Sequence, residues 1–163
     1  RMLGVEQPVR CIEGFDIAHL QGGQTVGSKV CFIDGRPFKE AYRRFKVRTV
    51  TNNDYDALRE VVSRRYRDAG EGHELYPAVI LIDGGPGQLS AAVDALSQLS
   101  VQPPTIVSLA KKEELVYIRG RTEPLSLSRA HLGLRLLQQV RDEAHRFAQA
   151  YHHILRRKST LGQ

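Results

Sequence analysis

Apolar and polar positions divide the first third of the chain into three candidate strands. Cys11–His19, Thr25–Ile33 and residues 38–47 are each rich in β-branched and aromatic side chains, which is typical of strands. Asp34 and Gly35, between the second and third stretches, form a hairpin-type turn sequence. The pattern therefore predicts that the chain opens with an antiparallel meander.

Helical and strand patterns then alternate. Asn53 is a candidate N-cap for a helix with apolar residues every three or four positions. Residues 79–82 are apolar on both faces, as in a central parallel strand, and Pro86 suits the first turn of a second helix. Residues 105–109 predict another short strand, and residues 132–156 one long amphipathic helix. Its predicted inward positions are Leu137, Val140, Ala144, Phe147, Tyr151 and Ile154.

The predicted order is βββαβαβ, an optional further strand, and a last helix. This order fits an α/β fold in which a mixed sheet opens with an antiparallel meander and carries helices on both faces. That is the arrangement of ribonuclease H-like folds. We expect the domain to span residues 11–155, with a linker over residues 1–10 and a basic tail over residues 156–163.

Composition narrows the class of protein further. The longest purely apolar run, residues 78–82, is too short for a transmembrane helix, and the first residues lack the pattern of a signal peptide. We therefore expect a cytoplasmic protein with no membrane partner. Lys and Arg number 24 against 18 Asp and Glu, a net charge of +6, which favours a polyanionic partner such as nucleic acid. Cys11 and Cys31 lie in strand patterns and are expected to be buried free thiols.

Two aspartates stand out as candidate functional residues. By alternation, Asp16 shares a strand face with small and apolar residues, where a carboxylate is costly unless it is paired or bound to metal. An aspartate that bonds to nearby backbone is an equally good interpretation. Asp83 ends the apolar strand just before the glycine-rich turn at residues 84–88, and ligands of α/β sheets collect beyond the carboxyl ends of strands. Its alternative role is to cap a tight turn.

The long helix and the third strand carry further polar candidates. His145 lies just past the edge of the inward stripe, on a basic flank that also holds Arg141, His152 and Arg156. A solvated helix face would have the same pattern. His152 lies two turns beyond His145, about 10 Å along the helix, which is too far for both to bind one ion. On the third strand, basic residues beside aromatic ones suit a nucleic-acid backbone, although a solvated sheet face is as good an interpretation.

Several blocks of the sequence, taken together and in order, resemble the UvrC endonuclease domain of bacterial nucleotide excision repair. They are CIEGFDIAHLQG at 11–22, YRRF at 42–45, LIDGGPGQL at 81–89, LAKKEE at 109–114 and LLQQVRDEAHRFA at 136–148. The resemblance implies a ribonuclease H-like fold and incision of DNA on the 5′ side of a lesion. It also implies damaged double-stranded DNA as substrate, and UvrB as a partner bound through parts of the full-length protein outside this chain.

The resemblance also implies a metal-dependent site. Asp16 and Asp83 match the two catalytic aspartates of the family, and His145 matches its histidine. Mg²⁺ or Mn²⁺ is the expected ion, because carboxylates suit hard cations and a nitrogen ligand makes Mn²⁺ more acceptable. His145 could complete the metal shell, orient the water or protonate the leaving group. The residues expected to contact DNA are Tyr42, Arg43, Arg44, Lys46, Lys111 and Arg141.

The chain also departs from the family pattern. Pro86 stands where the family usually has lysine, the segment from residue 112 to 128 is short, and residues 156–163 end where tandem helix-hairpin-helix motifs normally begin. Two other functions fit the residues. One is an inactive ribonuclease H-like module that binds nucleic acid, and the other is a small-molecule enzyme that binds phosphate at the turn over residues 84–88.

Overall fold

A computed structural model describes residues 10–20, 22–49, 53–67, 76–99, 105–110, 115–128 and 130–161, the last four of them by backbone only. The strands are β1 Cys11–His19, β2 Thr25–Ile33, β3 Arg36–Pro37, β4 Arg43–Lys46, β5 Val79–Asp83, β6 Thr105–Leu109, β7 Leu115–Ile118 and β8 Leu125–Ser126. The helices are α1 Asp54–Tyr66, α2 Pro86–Ser97 and α3 Leu132–Leu161. No helix in these ranges is long and apolar enough to cross a membrane.

The strands form one mixed sheet in the order β3-β2-β1-β5-β6-β7-β8, with β4 also paired to β2. The pairs β1–β2, β6–β7 and β7–β8 are antiparallel, whereas β5 lies parallel to both β1 and β6. The mixed sheet that opens with antiparallel strands is therefore confirmed. The optional strand of the prediction is β7, and the two-residue β8 is too short to leave a pattern in the sequence.

Helices cover both faces of the sheet, as predicted. One core cluster joins the even-numbered positions of β1 and the odd-numbered positions of β5 to α3. The other cluster joins the opposite face of the same strands to α1 and α2. Asn53 caps α1 by accepting a hydrogen bond from the Tyr55 amide, and Pro86 begins α2.

The prediction of one continuous third strand over residues 38–47 is wrong. After the turn at Asp34 and Gly35, the chain forms the short strand β3, which pairs with β2. A 3₁₀ turn over Lys39–Ala41 follows, and β4 then pairs with another part of β2. If β3 continued in its register with β2, residue 40 would lie opposite Lys29. In the structure Arg43 of β4 lies opposite Lys29. The 3₁₀ turn thus takes up three extra residues, which alternation of side chains does not reveal.

The long helix is confirmed, but α3 runs on to Leu161, so the backbone of the predicted tail is helical as far as that residue. Val140 and Ala144 are buried as expected. The inward position of Ile154 is wrong, since its side chain is 39% exposed. The apolar cluster under α3 reaches only to Phe147, and helical periodicity continues past the surface that it can cover. The predicted linker lies outside the described residues except for residue 10.

A buried ionic cluster under α1 is the main feature that sequence analysis missed. Glu13, on the α1 face of β1, is fully buried. Arg65 donates to both of its oxygens at 3.0 and 2.7 Å, the Tyr66 hydroxyl also donates to it, and the Lys29 ammonium lies 3.7 Å away. Burial lowers the pKa of Lys29, and Glu13 opposes that effect. The cluster ties α1 to β1 and β2.

Two thiols lie beside this cluster. Cys11 and Cys31 are free and buried, as predicted, with sulfurs 3.8 Å apart. Together with Glu13 they place three potential metal-ligating atoms within 4.8 Å of one another. However, Arg65 already binds both Glu13 oxygens, and an added cation would meet Arg65 and Lys29 in a poorly screened interior. The arrangement therefore suits a structural ion cluster better than a metal site.

A close approach of α3 to β1 occurs at Gly14. A Cβ atom at this position would lie 2.6 Å from Val140 Cγ1, a distance that packed carbon atoms do not tolerate. The missing side chain lets α3 cross β1 close to its backbone. Two residues further along β1 lies Asp16, and five residues further along α3 lies His145.

Replacing Arg65 by methionine should destabilise the fold by about 3 kcal/mol, because it leaves Glu13 buried with less than its full set of donors. Arg59→Met is the matched control. Arg59 pairs with Asp56 and Asp94 while 43% exposed, so its loss should cost less than about 1 kcal/mol. Urea unfolding of both variants measures the difference. Equal losses would contradict the structural role of the cluster.

Gly14→Ala should destabilise the protein by about 1–3 kcal/mol, because the added methyl group overlaps Val140. Val140→Ala removes the overlapping atom. The double variant should therefore lose less free energy of unfolding than the two single variants added together. Strict additivity in urea unfolding would show that the two residues do not meet.

Candidate active site

A cavity of about 430 Å³ opens where the carboxyl ends of β1 and β5 meet α1 and α3. It lies at the strand ends, where ligands of α/β sheets bind. Its lining includes Asp16, His19, Asp54, Asp83, His145 and His152. The three residues expected to be catalytic thus line one cavity. The other three polar residues in this list are His19, Asp54 and His152.

The sheet register brings the two aspartates together. Phe15 of β1 lies opposite Ile82 of β5, and one further residue along each parallel strand gives Asp16 and Asp83. Both side chains leave the sheet on the α3 face, because residues two apart in a strand share a face. Gly14, two residues before Asp16, contacts Val140 of α3, and Leu81, two residues before Asp83, belongs to the core cluster under α3. Neighbouring strands are about 4.8 Å apart, so the two carboxylates are close neighbours.

His145 reaches the same place from α3. Its Nδ1 lies 3.7 Å from an oxygen of Asp16, whose side chain is 11% exposed, whereas the His145 ring is 47% exposed. The histidine therefore lies between the more buried aspartate and solvent. Glu143, two residues away, faces elsewhere and binds Tyr42 and Arg146.

The donor set fits a hard divalent cation. Two carboxylates on adjacent strands repel one another, and a half-buried cavity screens that repulsion less than bulk water does. The carboxylate of Asp83 has no hydrogen-bond or ion-pair partner among the described residues, although the residue is only half-exposed. Carboxylate oxygens are the ligands that Mg²⁺ and Mn²⁺ prefer, and an imidazole is acceptable to Mn²⁺.

The other end of the cavity holds residues that sequence analysis did not single out. His19, the last residue of β1, bonds Asp54 through Nε2 and lies 3.0 Å from the Thr25 hydroxyl through Nδ1. Asp54 is the first residue of α1. Periodicity marks neither residue, since one ends a strand and the other looks like an ordinary acidic first-turn residue.

Two of the six residues expected to contact DNA bond to α3 within the protein, Tyr42 from a buried position and Arg44 from a half-buried one. Tyr42 is buried and donates to Glu143 at 2.8 Å. Arg44 donates to the Phe147 carbonyl at 2.9 Å and lies 3.8 Å above the centre of the Phe147 ring. Burial, followed by the bond to Glu143, raises the pKa of Tyr42. The Arg146 guanidinium in turn holds the pKa of Glu143 below its usual value.

The other four differ in accessibility. Arg43 and Lys46 of β4 are exposed. Arg141 is half-buried on α3, where it bonds the neighbouring Asp142. Lys111 lies outside the described residues. Their contact with DNA stays a prediction.

The glycine turn after β5 is closed by a side chain. The Gly85 amide donates to Gln88 Oε1 at 3.0 Å, and the Gly84 amide donates to the Leu109 carbonyl at 3.2 Å. Gly84 has a φ of 145°, and a Cβ there would lie 2.7 Å from the Gln88 side chain. The amides of Gly84 and Gly85 are therefore used within the protein and are not available to a phosphate.

Comparison with known proteins places the chain in a family. A family model described as the UvrC RNAse H endonuclease domain matches residues 1–149. UvrABC system protein C of Dehalococcoides mccartyi is 45% identical over 165 residues, which cover 98% of this chain and 27% of that protein. The protein of the same name from Dictyoglomus thermophilum is 47% identical over 152 residues, covering 92% of this chain and 25% of its own length. The chain thus spans about a quarter of the relatives it matches.

The solved structures that match this chain are less similar to it than these relatives are. The catalytic domain of human Endonuclease V has a TM-score of 0.46 and 17% identity, covering 96% of this chain and 85% of that one. Endonuclease V of Ciona intestinalis in complex with DNA has a TM-score of 0.47 and 18% identity, with coverages of 64% and 46%. At that similarity, the assignment depends on the sequence matches alone, and they are sufficient: the chain belongs to the UvrC family of ribonuclease H endonuclease domains.

Proposed function

We propose that this chain is a metal-dependent DNA endonuclease domain that hydrolyses a phosphodiester on the 5′ side of a DNA lesion. The observation that carries the proposal is the convergence of Asp16, Asp83 and His145 on one cavity at the carboxyl edge of the sheet. Family membership supports the same reaction, since the matching model describes an endonuclease domain.

Asp16 and Asp83 are the residues that would hold Mg²⁺ or Mn²⁺, with His145 beside them. When bound, such an ion acts as a Lewis acid on the phosphate and lowers the pKa of a coordinated water. Asp83 can turn both of its oxygens to a cation without breaking a hydrogen bond or ion pair to another described residue. Asp16 is held more rigidly, because it is buried on the strand that α3 crosses.

His145 has three possible duties at this position: metal ligand, orientation of the attacking water, or proton transfer to the leaving oxygen. Its exposure to solvent and its 3.7 Å approach to Asp16 suit the last two as well as the first. Removing a histidine at this exposed position should impair the reaction while costing the core little.

The competing functions have less support. A small-molecule enzyme that binds phosphate at the glycine turn would need free amides there, and those of Gly84 and Gly85 are bonded within the protein. A module that only binds nucleic acid would not need two adjacent carboxylates, which repel a polyanion. The endonuclease accounts for both aspartates and the histidine.

The partners of the proposed function follow from the family rather than from this chain. The curated relatives act as protein C of the UvrABC system, as their name states. We therefore propose damaged double-stranded DNA as the substrate, UvrB as a partner contacted by other parts of the full-length protein, and the cytoplasm as the location.

Asp83→Asn tests the proposal most cleanly, because the Asp83 carboxylate has no hydrogen bond or ion pair to a described residue. We expect Mn²⁺ affinity, measured by titration calorimetry on this chain, to fall at least about tenfold, since one charged ligand is lost. Incision of a lesion-bearing duplex, in full-length protein with the other proteins of the UvrABC system, should fall below detection. The melting temperature should change by no more than about 2 °C.

Asp94→Asn is the matched control, because Asp94 is an exposed carboxylate on α2 that pairs with Arg59. It should leave both metal affinity and incision unchanged. Normal incision by the Asp83→Asn variant would exclude Asp83 from the site. A loss of incision with unchanged Mn²⁺ affinity would exclude it as a metal ligand.

A further inference from the structure

A row of polar side chains runs along α3 away from the proposed catalytic residues. At about 100° per residue, Gln149 and His152 lie within about 40° of His145 round the helix. Both line the same cavity as His145. Arg156, eleven residues after His145, continues the row at about the same angle.

The row follows β1 because strand and helix run in the same sense. Gly14 of β1 meets Val140 of α3, and Asp16 meets His145. Three more residues of β1 advance about 10 Å to His19, and seven more residues of α3 advance about 10 Å to His152. Both of these histidines line the cavity, so its second end lies about 10 Å from the aspartates.

The chemistry of this second end differs between its two histidines. Both nitrogens of His19 are occupied, one by Asp54 and one by Thr25. His152 is half-buried, yet within the described part of the chain its imidazole nitrogens have no hydrogen-bond partner; its recorded neighbour is the His153 ring, 6.3 Å away. Unlike His19, His152 therefore lines the cavity with both ring nitrogens available to a ligand.

We propose that His152, with Gln149 beside it, binds a backbone phosphate of the DNA strand that is cut, close to the phosphate that is hydrolysed. The inference rests on the proposed endonuclease function. His152 is too far along α3 from His145 to share its ion, so its role is to position the substrate rather than to bind metal. A second phosphate held about 10 Å away fixes the strand direction across Asp16 and Asp83.

The charges in the cavity support a polyanion at this end rather than at the other. The aspartates lie at the first end, where the proposed cation neutralises them. At the second end, the carboxylate of Asp54 is already paired with His19. His152 and Gln149 remain as donors, and the row leads on to Arg156 and Arg157, both exposed.

The test is DNA binding by this chain, measured by fluorescence anisotropy with a labelled duplex of about 20 base pairs, in EDTA and over a series of salt concentrations. His152→Ala should weaken binding about fivefold, because it removes a hydrogen-bond donor to the phosphate. His152→Arg should bind at least as tightly as the unmodified chain, because it places a cationic donor at that position.

His153→Ala is the matched control, since His153 is an exposed histidine about 100° round the helix from His152. It should change binding less than about twofold. Unchanged binding by His152→Ala, or an equal loss in His153→Ala, would overturn the phosphate subsite.

Asp83→Asn in the same assay separates the subsite from the proposed reaction. It removes a negative charge, so it should bind DNA at least as tightly as the unmodified chain while its incision is lost. If this variant still cuts DNA, the proposed function is wrong, and the anisotropy result for His152 stands independently of it.

Discussion

The close crossing of α3 over β1 at Gly14 is the contact on which the rest of the site depends. Val140 occupies the space that a side chain at Gly14 would need. From this fixed point, strand and helix advance in the same sense and bring Asp16 and His145 to within 3.7 Å of each other. A larger residue at Gly14 would move α3 and the proposed catalytic histidine together, so core packing and active-site geometry are one constraint here.

Strand β1 carries two buried carboxylates whose electrostatic surroundings differ. Glu13 faces α1 and is neutralised within the protein by Arg65, with Lys29 close by. Asp16 faces α3, beside the Asp83 of the neighbouring strand, and Asp83 has no counter-charge in the described part of the chain. The first arrangement stabilises the fold. The second leaves a concentration of negative charge that a cation from solution can relieve, as the proposed metal-dependent reaction requires.

Much of this arrangement could be predicted from the sequence because it depends on local periodicity. The strands β1, β2, β5 and β6 and the position of α3 follow from spacing, and Asn53 and Pro86 mark the starts of α1 and α2. Asp16, Asp83 and His145 stood out as polar residues at the border of the core. Their assignment to one candidate site came from resemblance to a family, since no spacing rule joins residues so far apart in the chain.

The features that could not be predicted depend on tertiary contacts. The 3₁₀ turn over Lys39–Ala41 interrupts a strand without disturbing its alternation. Arg44 looks like a surface cation in sequence, but it packs on Phe147, over one hundred residues away. In the sequence Glu13 is an ordinary polar residue of a strand, and only the packing of α1 shows that it is buried and bonded to Arg65. The distant His19–Asp54 pair likewise exists only once β1 and α1 are placed together.

The most direct test of the central claim is a crystal structure of this chain soaked in Mn²⁺, with the ion located by its anomalous scattering. We predict a peak about 2.2 Å from carboxylate oxygens of both Asp16 and Asp83, with the His145 ring beside it. A peak at Cys11, Glu13 and Cys31 instead, or no peak between the two aspartates at saturating Mn²⁺, would contradict the account.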